Sequence, residues 1–145
     1  MTKADHTLLA IDTVVNPHTS EIVKMRPDWS GRFHKGKFGR DDSVMQGYSY
    51  EEMLRQMDSA RIEKAFLVAN KTGQLGLKGS LHLPYEIVAK AVQKFPDRFY
   101  GLAGLDPTEG MAGVYALTEA VERYGFIGAH GCLLYTSDAA DEEAS

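Results

Sequence analysis

Four short apolar runs recur along the chain and constrain its fold more than any other feature. They span residues 8–15, 65–69, 100–105 and 126–129. Each run is apolar on consecutive residues rather than on alternate ones, which is typical of strands that are buried on both faces of a parallel sheet. The runs therefore predict four strands of a parallel sheet.

Three segments of helical period separate these runs. The first follows a capping box, in which Ser49 and Glu52 satisfy backbone groups at the helix start. The second follows Pro84 and is stopped by Pro96, and the third is closed by Gly125. Their apolar faces comprise Tyr50, Met53, Leu54 and Met57, then Ile87, Val88, Ala91, Val92 and Phe95, and finally Val114, Leu117, Ala120, Val121 and Tyr124.

The resulting β-α-β-α-β-α-β order fits two architectures, a doubly wound sheet or the start of a (β/α)8 barrel. A complete barrel takes about 250 residues. Residues 1–131 suffice for about half of one. We therefore predict an α/β fold that is the truncated amino-terminal half of a (β/α)8 TIM barrel, with about four β/α units. A flavodoxin-like sheet is the alternative, although it would usually have a further strand and helix.

Residues 132–145 are predicted to be foreign to this domain. The stretch from Cys132 to Glu142 resembles a translated sequencing-library adapter, so it is excluded from the reasoning about the fold. The only cysteine lies in this tail, which removes a thiolate nucleophile from consideration. Four of the 20 acidic residues also lie there, and the others balance the 16 Lys and Arg residues. The predicted domain, residues 1–131, is thus formally neutral.

Composition excludes several classes of function. At 43% hydrophobic and 25% charged residues the chain is typical of a globular domain. No run approaches the 18 or so apolar residues of a membrane span, and no secretory signal is evident, so we expect a cytoplasmic protein. Basic residues are interspersed with acidic ones, which argues against binding to nucleic acid. A small-molecule substrate is the expected partner, and the uncovered edges of a half-barrel would invite homo-oligomerisation.

Residues 16–47 interrupt the regular alternation as a long segment rich in aromatic and basic side chains. In a barrel this segment would follow the first strand on the active-site face, where its cations could clamp a carboxylate. Acidic residues in the segment dilute this positive charge. A solvated surface loop or a subunit contact is therefore an equally good interpretation. The aromatic residues are Trp29, Phe33 and Phe38, the basic ones Lys24, Arg26, Arg32, Lys35, Lys37 and Arg40, and the acidic ones Glu21, Asp28, Asp41 and Asp42.

Polar residues at the ends of the predicted strands are the candidates for chemistry, because reacting groups in barrels project from the carboxyl ends of strands. They are Asn16, Asn70 with Lys71, Asp106 and His130. Asp106 also begins a good turn and helix-start sequence, which is the favoured interpretation for it. Asn16 and His130 are therefore predicted to bind substrate, and no catalytic residue is assigned.

No motif places a metal or a phosphate. An imidazole such as His130 can bind a metal or exchange a proton near neutral pH, but no HxH or HExxH pair occurs. Of the other histidines, His18 is the best site candidate, since it lies just beyond the first strand. Gly73, Gly76 and Gly79 match neither a dinucleotide-binding nor a P-loop pattern. We expect no metal ligand and no cofactor from these residues alone.

Three segments resemble amidohydrolase-related proteins, a superfamily of metal-dependent hydrolases. They are Ala10-Ile-Asp-Thr-Val-Val-Asn16, Tyr100-Gly-Leu-Ala-Gly-Leu-Asp-Pro107 and Tyr124-Gly-Phe-Ile-Gly-Ala-His130. The family includes aminocarboxymuconate-semialdehyde and resorcylate decarboxylases. The resemblance covers residues 8–130 and implies a (β/α)8 enzyme that acts on small carboxylated substrates, with a divalent metal such as zinc in the parent protein.

The first strand departs from that family. The family pattern there is Asp-x-His-x-His, in which both imidazoles reach one metal. Here Asp12 is followed by Val14 and Asn16 at the two ligand positions. Two hypotheses stay open. The parent is a hydrolase or carboxy-lyase, of which this chain is an inactive fragment, or it is a non-catalytic barrel that binds a small molecule or a partner.

Overall fold

The computed structural model describes residues 9–38, 46–73 and 79–131. Six strands lie in these ranges: β1 (Ala10–Val15), β2 (Ile62–Ala69), β3 (Lys71–Thr72), β4 (Leu81–His82), β5 (Phe99–Leu105) and β6 (Gly128–Gly131). The helices are α1 (Ser20–Met25), α2 (Asp28–Phe38), α3 (Tyr50–Ser59), α4 (Tyr85–Lys94) and α5 (Met111–Tyr124), and a 3₁₀ turn spans Pro107–Glu109.

The main sheet has the order β1-β2-β5-β6, and all of its neighbours are parallel. Spatial order thus follows chain order without reversal. A doubly wound sheet reverses its order at a switch point, whereas a barrel adds each strand beside the previous one. The curled four-strand sheet is therefore half of a (β/α)8 barrel, as predicted, and the flavodoxin-like alternative is wrong.

One hydrophobic core lies between the sheet and its crossover helices. It joins Met53 and Met57 of α3, Val88 of α4 and Ala120 of α5 to one face of β2 and β5. Because strand residues alternate between faces, one set of strand side chains enters this core and the other lies on the opposite face. The core set includes Ala65, Leu67, Phe99 and Ala103, all of them 0% exposed.

The sequence signals for the three crossover helices are confirmed. The hydroxyl of Ser49 accepts a hydrogen bond from the backbone N–H of Glu52 at 3.1 Å, which is one half of a capping box, while the Glu52 carboxylate binds Arg55 and Gln56 on the same helix. Gly125 ends α5 in the left-handed conformation, with φ of 67°, which favours glycine. Pro84 immediately precedes α4, and that helix ends just before Pro96. Local chemistry therefore sets these helix ends.

Strand β1 is bulged where ligands are expected in the related family. Asp12 is in register with Ala65 and Val15 with Leu67, so two β1 residues oppose Phe66 alone. A bulge changes the direction in which the neighbouring side chains point. Residues at positions 14 and 16 would share a face of a regular strand, and the bulge breaks that alternation. Asp12 instead accepts a hydrogen bond from the backbone N–H of Val14 at 3.3 Å.

The segment after β1 contains two helices, α1 and α2, that the sequence argument did not anticipate. Thr19 caps α1, since its hydroxyl accepts a hydrogen bond from the backbone N–H of Ile22. Ile22 is 1% exposed, so this short helix is anchored in the core. Residues 39–45, which include Arg40, Asp41 and Asp42, lie outside the described ranges.

The tail at 132–145, with Cys132, also lies outside the described ranges, so its predicted foreign origin and the boundary at residue 131 stay predictions. Within 9–38, 46–73 and 79–131, no helix is long and apolar enough to cross a membrane.

Candidate functional site at the carboxyl edge of the sheet

Parallel strands end at a common edge, and the predicted polar residues lie along it. Asn16 follows β1, Asn70 follows β2, Asp106 follows β5, and His130 lies within β6. We call this row of four residues the strand-end site. Asn16 and His130 are on the two outer strands, so β2 and β5 separate the two residues that the sequence analysis favoured.

His130 has a ring nitrogen that is buried and unsatisfied. It is in register with Gly104 of β5, and its Nδ1 atom has no hydrogen-bond partner within the part of the chain that the structure describes. A buried polar atom without a partner is costly. The binding role of His130 stays a prediction.

Asp106 has the structural role that its sequence context favoured. Its Oδ1 atom accepts hydrogen bonds from the backbone N–H of Thr108 at 2.9 Å and from the Thr108 hydroxyl at 2.7 Å. These bonds hold the pKa of the Asp106 carboxyl below its ordinary value. Its second oxygen, Oδ2, is buried with no partner among the described residues. Asp106 thus caps the 3₁₀ turn through Oδ1, and its Oδ2 atom forms no hydrogen bond with the described residues.

Lys71 forms a largely buried ion pair that the sequence did not indicate. Its Nζ atom lies 2.7 and 3.0 Å from the two carboxylate oxygens of Glu109, and the two side chains are 11% and 18% exposed. The ammonium also lies 5.4 Å from the centre of the Tyr85 ring. This pair connects the end of β2 to the 3₁₀ turn after β5.

Tyr85 fixes the backbone beside His130. Its hydroxyl donates a 2.8 Å hydrogen bond to the carbonyl oxygen of Gly104, the register partner of His130. A Cβ atom at position 104 would lie 2.1 Å from the carbonyl oxygen of Ala69, so only glycine fits between the two strands. The sequence analysis did not predict the hydrogen bond from Tyr85 to Gly104. Its only related signal was Pro84, which predicted the start of α4 next to Tyr85.

Helix α2 is tethered to the loop that follows β3. The indole N–H of Trp29 donates a 2.7 Å hydrogen bond to the carbonyl oxygen of Gly79. Arg32, one turn away, lines a cavity of about 370 Å³ together with Asp28, Trp29 and Gly79. The cavity thus has one cationic and one anionic side chain, so the charge of Asp28 offsets that of Arg32. A carboxylate clamp in this segment stays a prediction.

Arg26 in the same segment has a different role. It donates a 3.2 Å hydrogen bond to the carbonyl oxygen of Pro17, and burial lowers the pKa of its guanidinium. This bond holds the backbone just after β1. Arg26 is therefore not an exposed cation that could bind a carboxylate. His18 lies in the same region, is 7% exposed, and has its ring centre 5.7 Å from that of His34 and 6.0 Å from that of Tyr48. His18 is thus a packed residue beyond β1.

The described residues do not fit a metal site of the kind that the sequence resemblance implies. No group of three or more His, Cys, Asp or Glu side chains in the described ranges is arranged to hold a metal ion. Val14, at the first ligand position, is 51% exposed and has no donor atom. The carboxylate of Asp12 bonds to the backbone of its own strand.

Solved structures with a similar fold are decarboxylases of the amidohydrolase superfamily. One is 5-carboxyvanillate decarboxylase from Novosphingobium aromaticivorans with bound manganese, at a TM-score of 0.60 and 21% identity over 88% of this chain. Another is 2,6-dihydroxybenzoate decarboxylase in complex with 2,6-dihydroxybenzoate, at a TM-score of 0.56 and 19% identity over 84% of this chain. The resemblance noted in the sequence is confirmed at the level of the fold.

These matches cover less than half of each solved structure. The chain spans 43% of the carboxyvanillate enzyme and 39% of the dihydroxybenzoate enzyme. No protein-family model and no curated protein sequence matches the chain.

Proposed function

We propose that residues 1–131 are the amino-terminal half of an amidohydrolase-related barrel whose full-length parent is a carboxy-lyase or hydrolase acting on a small carboxylated substrate. The observation that carries this proposal is the fold. Four parallel strands in sequential order match 5-carboxyvanillate decarboxylase over 88% of the chain. Decarboxylases of carboxylated aromatic acids recur among the similar structures.

His130 and Asn16 are the residues that we propose to contact the substrate. The half-buried imidazole of His130 can donate a hydrogen bond to a substrate oxygen or accept one from a phenol. The exposed side-chain amide of Asn16 offers both a hydrogen-bond donor and an acceptor at the strand-end site. In a decarboxylation the bond between the ring carbon and the carboxylate breaks, carbon dioxide leaves, and a proton replaces it on that carbon. The proposed role of both side chains is to orient the substrate.

A divalent metal, such as zinc or the manganese of the carboxyvanillate enzyme, would have to be held mainly by residues other than those described. Val14 at a ligand position and the bulge in β1 exclude a pair of ligands on this strand. We therefore derive no step through a metal, and we propose that the 145-residue chain by itself is inactive. In the parent, the metal and acid-base groups would come from strands that follow β6.

The decisive experiment compares the parent, expressed from the uninterrupted gene, with the 145-residue chain. Both proteins are assayed for loss of carbon dioxide from 5-carboxyvanillate and 2,6-dihydroxybenzoate. The metal content of each is measured after purification without chelators. We expect turnover and stoichiometric metal in the parent and neither in the chain. The same gene sequence tests whether residues 132–145 are foreign, and fractionation of the source cells tests the cytoplasmic location.

A variant of the parent tests the role of His130. Because we assign it to binding, His130→Gln should raise KM about tenfold and leave kcat within about threefold. Arg123→Gln is the control, since Arg123 is exposed on α5 and pairs with Glu119 on the same helix. Equal effects of the two substitutions on KM would remove His130 from the substrate site.

A non-catalytic binding barrel is the second candidate, and Val14 at the expected ligand position supports it. This candidate predicts that the parent has no metal, is not activated by added zinc or manganese, and still binds carboxylated aromatic compounds. Metal-free binding without turnover would therefore replace the enzyme proposal with the binding one.

A further inference from the structure

The two outer strands of the main sheet have exposed apolar side chains beside them. On the β1 side Leu9, Ile11 and Val14 are 53%, 50% and 51% exposed, and on the β6 side Ile127 is 52% exposed. Edge strands are commonly protected by charged side chains, by bulges or by being short. Strand β1 has Asp12 and a bulge, and β6 has only four residues, yet the apolar side chains beside them stay exposed. A further strand at each edge would bury these side chains.

The geometry of these edges selects one kind of partner. All four strands of the curled sheet are parallel, and the sheet is half of an eight-stranded barrel. A two-fold axis along the barrel would place β6 of one copy beside β1 of the other, parallel to it, at two identical seams. Eight strands then close without a free edge. Stacking two sheets face to face would bury apolar side chains and leave all four edges open.

We propose that the 145-residue chain associates with a second copy of itself to form a closed, two-fold symmetric barrel. Closure buries β1 against β6 of the partner copy at both seams. Val114 and Val121 on α5, the helix that leads to β6, are two turns apart on one face and are 51% and 47% exposed. They extend the apolar surface on the β6 side.

The dimer would also bring together the two residues proposed to bind substrate. Within one copy, Asn16 and His130 lie at opposite edges of the sheet, with two strands between them. Across a seam, His130 of one copy and Asn16 of the other lie on neighbouring strands. Each strand-end site is then completed by the second copy. This dimer is independent of the proposed chemistry, because the same edges would be covered by later strands in a full-length parent.

Sedimentation velocity of the whole chain under reducing conditions tests the dimer, since a reductant prevents Cys132 from linking two copies. We expect a mass twice the 16.0 kDa of one chain. Ile11→Lys on one edge and Ile127→Glu on the other should each weaken association about 100-fold, because each seam then buries an unpaired charge. Gln93→Lys is the control, since Gln93 is exposed on α4, which packs on the central strands β2 and β5, and should not weaken association.

A mixture of the two edge variants separates this dimer from other modes of association. In a two-fold barrel made of one copy of each variant, one seam is wild type and the other pairs the introduced lysine with the introduced glutamate. The mixture should therefore regain association, whereas stacked sheets provide no such pairing. Amide hydrogen exchange provides a readout without variants, because protection of β1 and β6 should rise with protein concentration while that of β2 and β5 stays constant.

The proposal is overturned by a monomer at every concentration, by a larger aggregate, or by a mixture that stays monomeric although both variants are folded by circular dichroism. A monomer whose β6 amides are already protected would mean that residues 132–145 cover that edge. A turnover assay of the parent has no bearing on these outcomes, so the dimer and the proposed function can fail separately.

Discussion

The centre and the edges of the same sheet differ sharply, although both are made from apolar runs. In β2, Leu67 and Val68 are 0% exposed, whereas in β1 Ile11 and Val14 are about half exposed. Strand β2 has a strand on each side and two crossover helices over one face, while β1 has only one neighbouring strand. An apolar run therefore predicts where a strand forms, and the neighbours that the chain supplies decide whether that strand is covered.

The largest effect should come from emptying the centre of the core. Phe99 is 0% exposed and its ring contacts those of Tyr50 and Phe95, with ring centres 5.5 and 5.7 Å apart. Phe99→Ala should lower the free energy of unfolding by about 3–5 kcal/mol, because it removes buried area and leaves a cavity. Urea titration followed by far-ultraviolet circular dichroism measures this change.

Ile127→Ala is the matched control for that substitution, because Ile127 is 52% exposed on the β6 side. At a protein concentration where the chain is monomeric it should change the free energy of unfolding by less than about 0.5 kcal/mol. Equal costs at Phe99 and Ile127 would show that the edge is as tightly packed as the centre, and the contrast between the regions would be lost.

The fold was predictable because its signals are local. Consecutive apolar residues marked the four strands, the Ser49 and Glu52 capping box marked α3, and Gly125 marked the end of α5. The extra residue in β1 was not predictable, since a bulge depends on the strand opposite. Helix α1 was also missed, because Thr19 is a weak cap signal on its own and the apolar contact of Ile22 is made with distant residues.

Much less of the candidate site could be predicted. Strand ends identified Asn16 and His130 as polar residues at one edge, but their separation by two strands depends on the order of the sheet. Lys71 and Glu109 are 38 residues apart in sequence, and no periodicity connects them. The Trp29 bond to Gly79 likewise joins helix α2 to a loop 50 residues later in the chain. Such distant contacts depend on tertiary packing, which a single sequence does not specify.

A smaller effect than that of Phe99 should follow from breaking the ion pair that connects the central strands. Lys71→Met leaves the Glu109 carboxylate, which is 18% exposed, without its cation. The expected loss is about 2–3 kcal/mol in the free energy of unfolding, less than for a fully buried pair because some water reaches both groups. The same urea titration measures it.

The double variant Lys71→Met/Glu109→Leu tests whether this loss comes from the unpaired charge. It should recover at least about 1 kcal/mol relative to Lys71→Met alone, since two apolar side chains replace two charges. Additive losses from the two substitutions would instead indicate that each residue stabilises the loops separately.

Removing the cap at the end of β5 should cost less again. Asp106→Ala removes both hydrogen bonds to Thr108 and should lower the free energy of unfolding by about 1 kcal/mol at neutral pH. The pKa of Asp106 is lower in the folded chain than its ordinary value. Its contribution is thus present above that value and is lost as pH falls through the folded one.

The difference between the wild type and Asp106→Ala should therefore shrink below about pH 4, as measured by urea titrations at several pH values. Asp106→Asn is the control, since asparagine caps about as well as aspartate without titrating. A difference between Asp106→Ala and the wild type that stays constant down to about pH 2 would show that the carboxylate charge contributes nothing.

The smallest effect is expected at the β1 edge, and its dependence on concentration makes it informative. Ile11 is 50% exposed, so Ile11→Thr should change the free energy of unfolding by less than about 0.5 kcal/mol when the chain is dilute and monomeric. At concentrations where two copies associate, the same substitution should destabilise the protein, because Ile11 is then buried at the seam and unfolding is coupled to dissociation. Thermal unfolding over a wide range of concentrations measures both regimes. A small and constant effect would mean that β1 stays exposed in every state, whereas a large and constant effect would mean that the chain already covers this edge by itself.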